Sequence, residues 1–266
     1  MKKFFVLFLS VAMALTGCTA SSGESDASKE EKKEIVVFAA ASMTETLEQI
    51  KADYEKEHPD IELTYNLDSS GTLKTQIEQG ATCDIFISAA QEQMNQLEEQ
   101  ELIKTGTRAD LLENKVTLVV PKDNPKGIES FDQLAELLRN EPILMAMGNS
   151  DVPVGQYTQK ILQYYSLNEA ELAAQSKLTY GSNVKEVTTQ VSEATVDCGV
   201  VYATDAYSAG LSAVDTATEE MCGKVIYPAA VIQNSERSQE AKEFLDYLKS
   251  DAAMKIFEGV GFSKVG

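Results

Sequence analysis

The chain has 266 residues, room for one large or two modest domains, and its 43% hydrophobic and 24% charged composition is that of a folded globular protein rather than a disordered one. Its 42 acidic against 23 basic residues give a net charge of −19. That excess excludes nucleic acid and anionic lipid headgroups as partners, and any anion the chain holds must be held by local dipoles against the field of the whole molecule.

Lys2 and Lys3 form a positive start, Phe4 to Leu15 an apolar core too short to span a bilayer, and Leu15-Thr16-Gly17-Cys18 a small-residue cleavage site. Residues 1–17 therefore read as a signal peptide. The tetrapeptide resembles the bacterial lipobox, whose cysteine becomes the lipidated first residue of the mature protein. It implies export and anchoring to the outer face of the cell membrane through Cys18. Residues 18–34 carry no apolar periodicity and read as a flexible tether, so folding should begin near Ile35. Of the remaining cysteines, Cys83 reads as a small buried filler, and spacing leaves a Cys198–Cys222 disulfide open.

The run Val36 to Leu47, VVFAAASMTETL, is a buried strand turning directly into a helix, with Ser42 at the helix start as either a cap or a ligand to an anion. Met43, Leu47, Ile50 and Tyr54 then mark one helix face, which ends near His58-Pro59. Ile61 to Leu67 alternates as a strand, Asp68-Ser69-Ser70-Gly71 is turn chemistry, and Leu73 and Ile77 restart helical spacing until Gly80. Asp84 to Ser88 is a short strand, followed by a helix carrying Met94 and Leu97. Val116 to Val120, closed by Pro121, is a strand buried on both faces. Ser130 and Gln133 make a capping box before Phe131, Leu134, Leu137 and Leu138. After a strand at Ile143 to Met147, the loop to Pro153 opens a helix through Tyr157, Ile161 and Tyr165. Lys177 to Tyr180 is a strand, Asn183 with Glu186 caps a helix holding Val187 and Val191, and Gly199 to Tyr202 and Lys224 to Ile232 are further strands. Two helices close the chain, one holding Ala241, Phe244, Leu245 and Leu248, the other Met254 and Phe257. Strands alternating with helices imply mainly parallel sheets covered on both faces, an α/β fold.

Catalytic chemistry is poorly supplied. The only histidine, His58, falls at an exposed helix end; no GxSxG elbow, phosphate-cradling GxxxxGK[ST] or GxGxxG follows a strand, and the cysteines and carboxylates are too scattered to bind a metal. An exported hydrolase on such a scaffold would lack both nucleophile and base. What recurs instead is a helix start after a strand, with a small polar residue and free N–H groups, at Ser42, Ser70, Pro153-Val154 and Asn183-Val184. A lone serine of this kind is usually an N-cap. Four such starts at strand carboxyl ends can converge on one crevice, where doubly wound folds bind ligands.

The segments Val37 to Thr44, Asp68 to Leu73, Asp84 to Ala89, Val152 to Gly155, Gly199 to Tyr202 and Tyr227 to Ala230 together resemble the molybdate-binding proteins of bacterial ABC transporters, in order from Ile35 onward. The resemblance implies a two-lobed periplasmic-binding-protein fold of type II. Lobe one would take residues 35–117 and 229–266 and lobe two 118–228, with hinge crossings near 117–121 and 226–230. It implies an oxyanion held by Ser42 and Ser70 from lobe one and by the Val154 and Val184 backbone N–H groups and the Tyr202 phenol from lobe two. Molybdate or tungstate would be bound as an oxyanion with no direct metal ligand and no cofactor, by a monomer that delivers it to a membrane ABC permease. Sulfate or phosphate remains the alternative cargo; Asp68 and Asp151 lie near enough to accept a phosphate proton.

Overall fold

A computed structural model describes residues 32–265, so the expected signal peptide, Cys18 and nearly all of the tether lie outside the described residues. The first strand, β1 (Lys33–Ala40), starts two residues ahead of Ile35 because Lys33 donates its N–H to the Asp60 carbonyl and the strand pairs in parallel with its neighbour from Lys33↔Ile61 onward. Its side chains alternate between two apolar layers: Ile35, Val37 and Ala39 enter the main core, while Phe38 packs with Leu73, Ile77, Phe86 and Met94 on the opposite face.

A 3-10 turn (Ala41–Met43) follows, then α1 (Thr44–Glu57), β2 (Ile61–Asp68), α2 (Ser70–Glu78), β3 (Ile85–Ile87), α3 (Gln91–Glu99) and β4 (Ala109–Asn114). The middle of the chain forms β5 (Val116–Val120), α4 (Phe131–Asn140), β6 (Met145–Gly148), α5 (Pro153–Tyr164), α6 (Glu169–Ala174), β7 (Leu178–Gly181) and α7 (Val184–Ser192). It continues through β8 (Cys198–Tyr202), α8 (Ala203–Ser208), β9 (Ser212–Thr216) and α9 (Glu219–Cys222). The chain closes with β10 (Val225–Val231), α10 (Ser238–Tyr247) and α11 (Asp251–Gly259).

Two five-stranded sheets result, in the orders β2-β1-β3-β10-β4 and β7-β6-β8-β5-β9, flanked by helices as two lobes. The chain passes from the first sheet to the second at Lys115 and returns between Cys222 and Val225. Both crossings lie a few residues before the places expected from sequence. All of β5 pairs in the second sheet and all of β10 in the first, with Pro228 absorbed at a register shift after Tyr227 rather than ending the strand. Each sheet is mixed. β1, β2, β3 and β6, β7, β8 run parallel, and every antiparallel pair involves β5 or β10, the strands next to the crossings.

Helix starts are fixed locally. Ser130 Oγ accepts the Gln133 N–H at 3.1 Å and Gln133 Oε1 accepts the Glu129 N–H at 2.9 Å, and Asn183 and Glu186 cap α7 in the same reciprocal way. Cys83, Cys198 and Cys222 are buried free thiols, so the pairing left open by spacing is not made. His58 ends α1 and stacks on Tyr54, with 4.2 Å between ring centroids.

Candidate functional site

The six parallel strands all end on the gap between the two sheets, and four of them hand the chain directly to a helix start there: β1 to the 3-10 turn, β2 to α2, β6 to α5 and β7 to α7. The first N–H groups of a helix have no partner within the helix, so four sets of free donors face one crevice. Ser42, Ser70, Val154, Val184 and Tyr202, brought from five separate segments, line one small cavity in it. All five are buried. The sequence reading named each of them. Among the lining residues only Asp68 keeps partial exposure.

The serines are not caps. Ser42 sits inside the 3-10 turn, and no side chain caps either that turn or α1; its Oγ instead lies 2.9 Å from the Tyr227 hydroxyl. Of the two roles open to Ser42, that of helix cap is not taken: its hydroxyl meets Tyr227 on the strand side. Ser69, not Ser70, caps α2, accepting the Thr72 N–H at 3.1 Å. Ser70 is the first helical residue, and its Oγ accepts the Ala89 N–H at 3.0 Å, which leaves its own hydrogen to be donated elsewhere.

Tyr202 ends β8, and among the described residues its buried hydroxyl has no hydrogen-bond partner. Burial pushes this phenol well above its usual pKa, so it keeps its hydrogen and can donate it to an acceptor in the cavity. Its ring is wedged edge-on between Tyr157 and Tyr227, at centroid distances of 6.3 and 5.7 Å. Such packing fixes where the hydroxyl points.

Asp68 is the one carboxylate on the cavity wall, and its Oδ1 is occupied by the Ser69 N–H at 2.7 Å and by Asn183 Nδ2 from the other lobe at 3.3 Å. Asp151, the second acceptor named from sequence, is exposed and does not line the cavity. Its backbone has a different part: a Cβ placed on Gly71 would lie 2.1 Å from the Asp151 carbonyl oxygen, so only glycine lets α2 and the loop before α5 meet. Lys185 on α7 reaches Glu45 on α1 at 2.8 Å, and Gln93 reaches Gln156 at 3.3 Å, adding further bonds across the gap. Neither Tyr227, Asn114 nor Ala89 was assigned a role from sequence. Ala89 and Tyr227 lie in segments that carry the resemblance, but nothing in local spacing marks Tyr227 as a neighbour of Ser42, 185 positions away.

Among the described residues no cluster of three or more His, Cys, Asp or Glu side chains is placed to hold a metal ion, and no helix is long and apolar enough to cross a membrane. The Ser42, Ser70 and Tyr202 hydroxyls on the cavity wall can each donate a hydrogen bond, with Asp68 the one carboxylate beside them. The family model described as bacterial extracellular solute-binding protein matches residues 35–263. The chain belongs to that family. Its relatives include YvgL of Bacillus subtilis, named as a candidate substrate-binding lipoprotein of an ABC transporter, at 37% identity over 97% of this chain and 96% of the other. The molybdate-binding protein ModA of Escherichia coli is 34% identical over 86% of this chain and 88% of its own. The periplasmic molybdate-binding protein of Azotobacter vinelandii shares the fold at a TM-score of 0.75 and 20% identity, covering 87% of this chain and all (100%) of that one. Members of the extracellular solute-binding family bind and release a ligand; they are not enzymes, and they carry that ligand in place of a cofactor.

Proposed function

We infer that this chain captures molybdate or tungstate between its two lobes and delivers it to a membrane ABC permease, exported and held at the outer face of the cell membrane by a lipid on Cys18. The observation that carries the reading is the buried Tyr202 hydroxyl, without a partner among the described residues, in a cavity whose other named contacts are the Ser42 and Ser70 hydroxyls and the helix starts at Val154 and Val184. A fully deprotonated tetrahedral dianion accepts hydrogen bonds and donates none. Each charge-assisted bond contributes about 1.5–3 kcal/mol net, and each helix start about 0.3–1 kcal/mol more, so several together offset the desolvation of the ion. No cation is needed, which reconciles a net charge of −19 with an anionic cargo. The ABC transporter and molybdate names carried by relatives at 37% and 34% identity support the same reading.

Hydrogen phosphate would bring a proton that needs an acceptor, and Asp68 already spends one oxygen on two donors. Sulfate differs from molybdate in size rather than in hydrogen-bonding character. Titration calorimetry with molybdate, tungstate, sulfate and inorganic phosphate at neutral pH tests the assignment. Tight binding of molybdate and tungstate with weak or no binding of phosphate is expected; tight phosphate binding without molybdate binding overturns it.

A further inference from the structure

Ser42 can offer the anion a proton only if its hydroxyl hydrogen is not spent inside the protein, and a chain of three buried side chains decides that. Asn114 ends β4 beside the first crossing, and its Oδ1 accepts the Lys115 N–H at 2.8 Å. The carbonyl end of the amide is therefore identified, and Nδ2 must be the end that faces Tyr227 Oη at 3.2 Å and Thr204 Oγ1 at 2.9 Å. An amide nitrogen only donates, so the Tyr227 oxygen accepts from Asn114. Tyr227 is fully buried, and burial pushes its phenol well above its usual pKa, so it keeps its hydrogen. Among the described residues, Ser42 Oγ at 2.9 Å is the acceptor whose geometry suits that hydrogen. Were Ser42 to donate instead, Tyr227 would receive two donors and its own hydrogen would lose the well-aligned acceptor at 2.9 Å, an arrangement that folded proteins avoid.

We propose that Asn114 and Tyr227 are positioning residues that fix the proton polarity of Ser42, turning its hydroxyl into an obligatory donor toward the cavity and so selecting fully deprotonated oxyanions over protonated ones. Ser70 is aligned in the same sense by the Ala89 N–H, which occupies its oxygen from behind. Both lobe-one serines thus receive a hydrogen bond from the protein and pass one on. Asn114 also bonds Thr204 at the start of α8 in the other lobe, so the relay is anchored on both sides of the crossing. This inference rests on the oxyanion reading above and names what enforces its selectivity.

The test is a double-mutant cycle on Ser42→Ala and Tyr227→Phe, read by molybdate affinity, together with competition by inorganic phosphate at pH 7.5. Tyr227→Phe keeps the ring packed against Tyr202 and Phe262 and removes only the hydroxyl. It is expected to weaken molybdate binding about tenfold, to have less than a twofold effect once Ser42 is already alanine, and to raise the ratio of phosphate to molybdate affinity at least tenfold. Effects that simply multiply in the double variant, or phosphate that competes no better against the Phe variant than against the parent, overturn the relay. A parent protein that binds no molybdate overturns the oxyanion reading itself, a separate outcome. If Tyr227→Phe does not fold, Asn114→Ala removes the donor that sets the polarity of Tyr227. The same rise in the phosphate ratio is then expected, and an unchanged ratio counts against the relay.

Discussion

Replacing Tyr202 by phenylalanine should move stability and affinity in opposite directions, which few substitutions do. The Tyr202 hydroxyl is buried with no partner among the described residues, and a group left unsatisfied in this way costs about 1–3 kcal/mol. Its ring is held by Tyr157 and Tyr227, contacts that phenylalanine keeps. The ligand-free variant is therefore expected to be more stable than the parent. For a folded part of this size, each kcal/mol gained raises Tm by about 2–4 °C. With the anion bound the sign reverses, because the variant lacks one charge-assisted donor worth about 1.5–3 kcal/mol, a weakening of about 10- to 150-fold in Kd. Differential scanning fluorimetry with and without saturating molybdate reads both effects, since ligand stabilisation falls with affinity. Calorimetry then gives the affinity directly. A variant that melts below the parent without ligand yet binds molybdate equally well would refute the reasoning, because the hydroxyl would then be satisfied in the free protein and idle in the complex.

Gly71→Ala would put a Cβ 2.1 Å from the Asp151 carbonyl oxygen, so α2 and the loop before α5 are forced apart: Tm should fall, and molybdate affinity should drop at least tenfold by calorimetry; an unchanged Tm and affinity would refute the contact. Ser70→Ala removes a donor to the anion and also strands the Ala89 N–H, so both affinity and Tm should fall, in contrast to Tyr202→Phe. Asp205 on α8 is fully buried and its carboxyl is pushed up to about 6 by burial, with Lys185 Nζ at 3.2 Å and the Glu45 charge beyond it as the neighbouring ionic groups. Between the usual carboxylate pKa near 4 and this raised value the folded state holds a proton that the unfolded chain has released, so the contribution of Asp205 to stability is greatest below pH 4 and is lost as pH rises through 6. Asp205→Asn should accordingly raise Tm at pH 8 and lose that advantage at pH 4.5; a variant less stable than the parent at pH 8 would contradict this sign.

The parts of the fold legible in the sequence were those whose signal is local. Leu47, Ile50 and Tyr54 bury one helix face because their spacing demands it, and Asn183 caps α7 because its side chain needs only the Glu186 N–H three residues on. Of the cavity residues, Ser42, Ser70, Val154 and Val184 stand at helix starts that follow strands, a pattern visible locally, whereas Tyr202, and the grouping of all five into one set, came only from the resemblance to molybdate-binding proteins. What stayed hidden depends on which segments meet. β4 (ADLLEN) and β9 (SAVDT) have too few apolar residues to announce themselves and are made strands by pairing with β10 and β5. The crossings were placed late because the apolar runs at Val116 and Val225 look alike whichever sheet receives them. Asn114, Tyr227 and Ala89 act on Ser42 and Ser70 only through contacts between segments far apart in the chain, and no short pattern encodes those.

A crystal structure of the protein with bound tungstate tests the central claim most directly, since the heavy atom marks its own position by anomalous scattering. A single tungsten peak is expected in the cavity between the lobes. Its oxygens should lie within hydrogen-bond distance of the Ser42 and Ser70 hydroxyls, the Val154 and Val184 backbone N–H groups and the Tyr202 phenol, with no metal–protein bond. A peak outside that cavity, or one coordinated directly by a carboxylate or thiolate, would contradict the account.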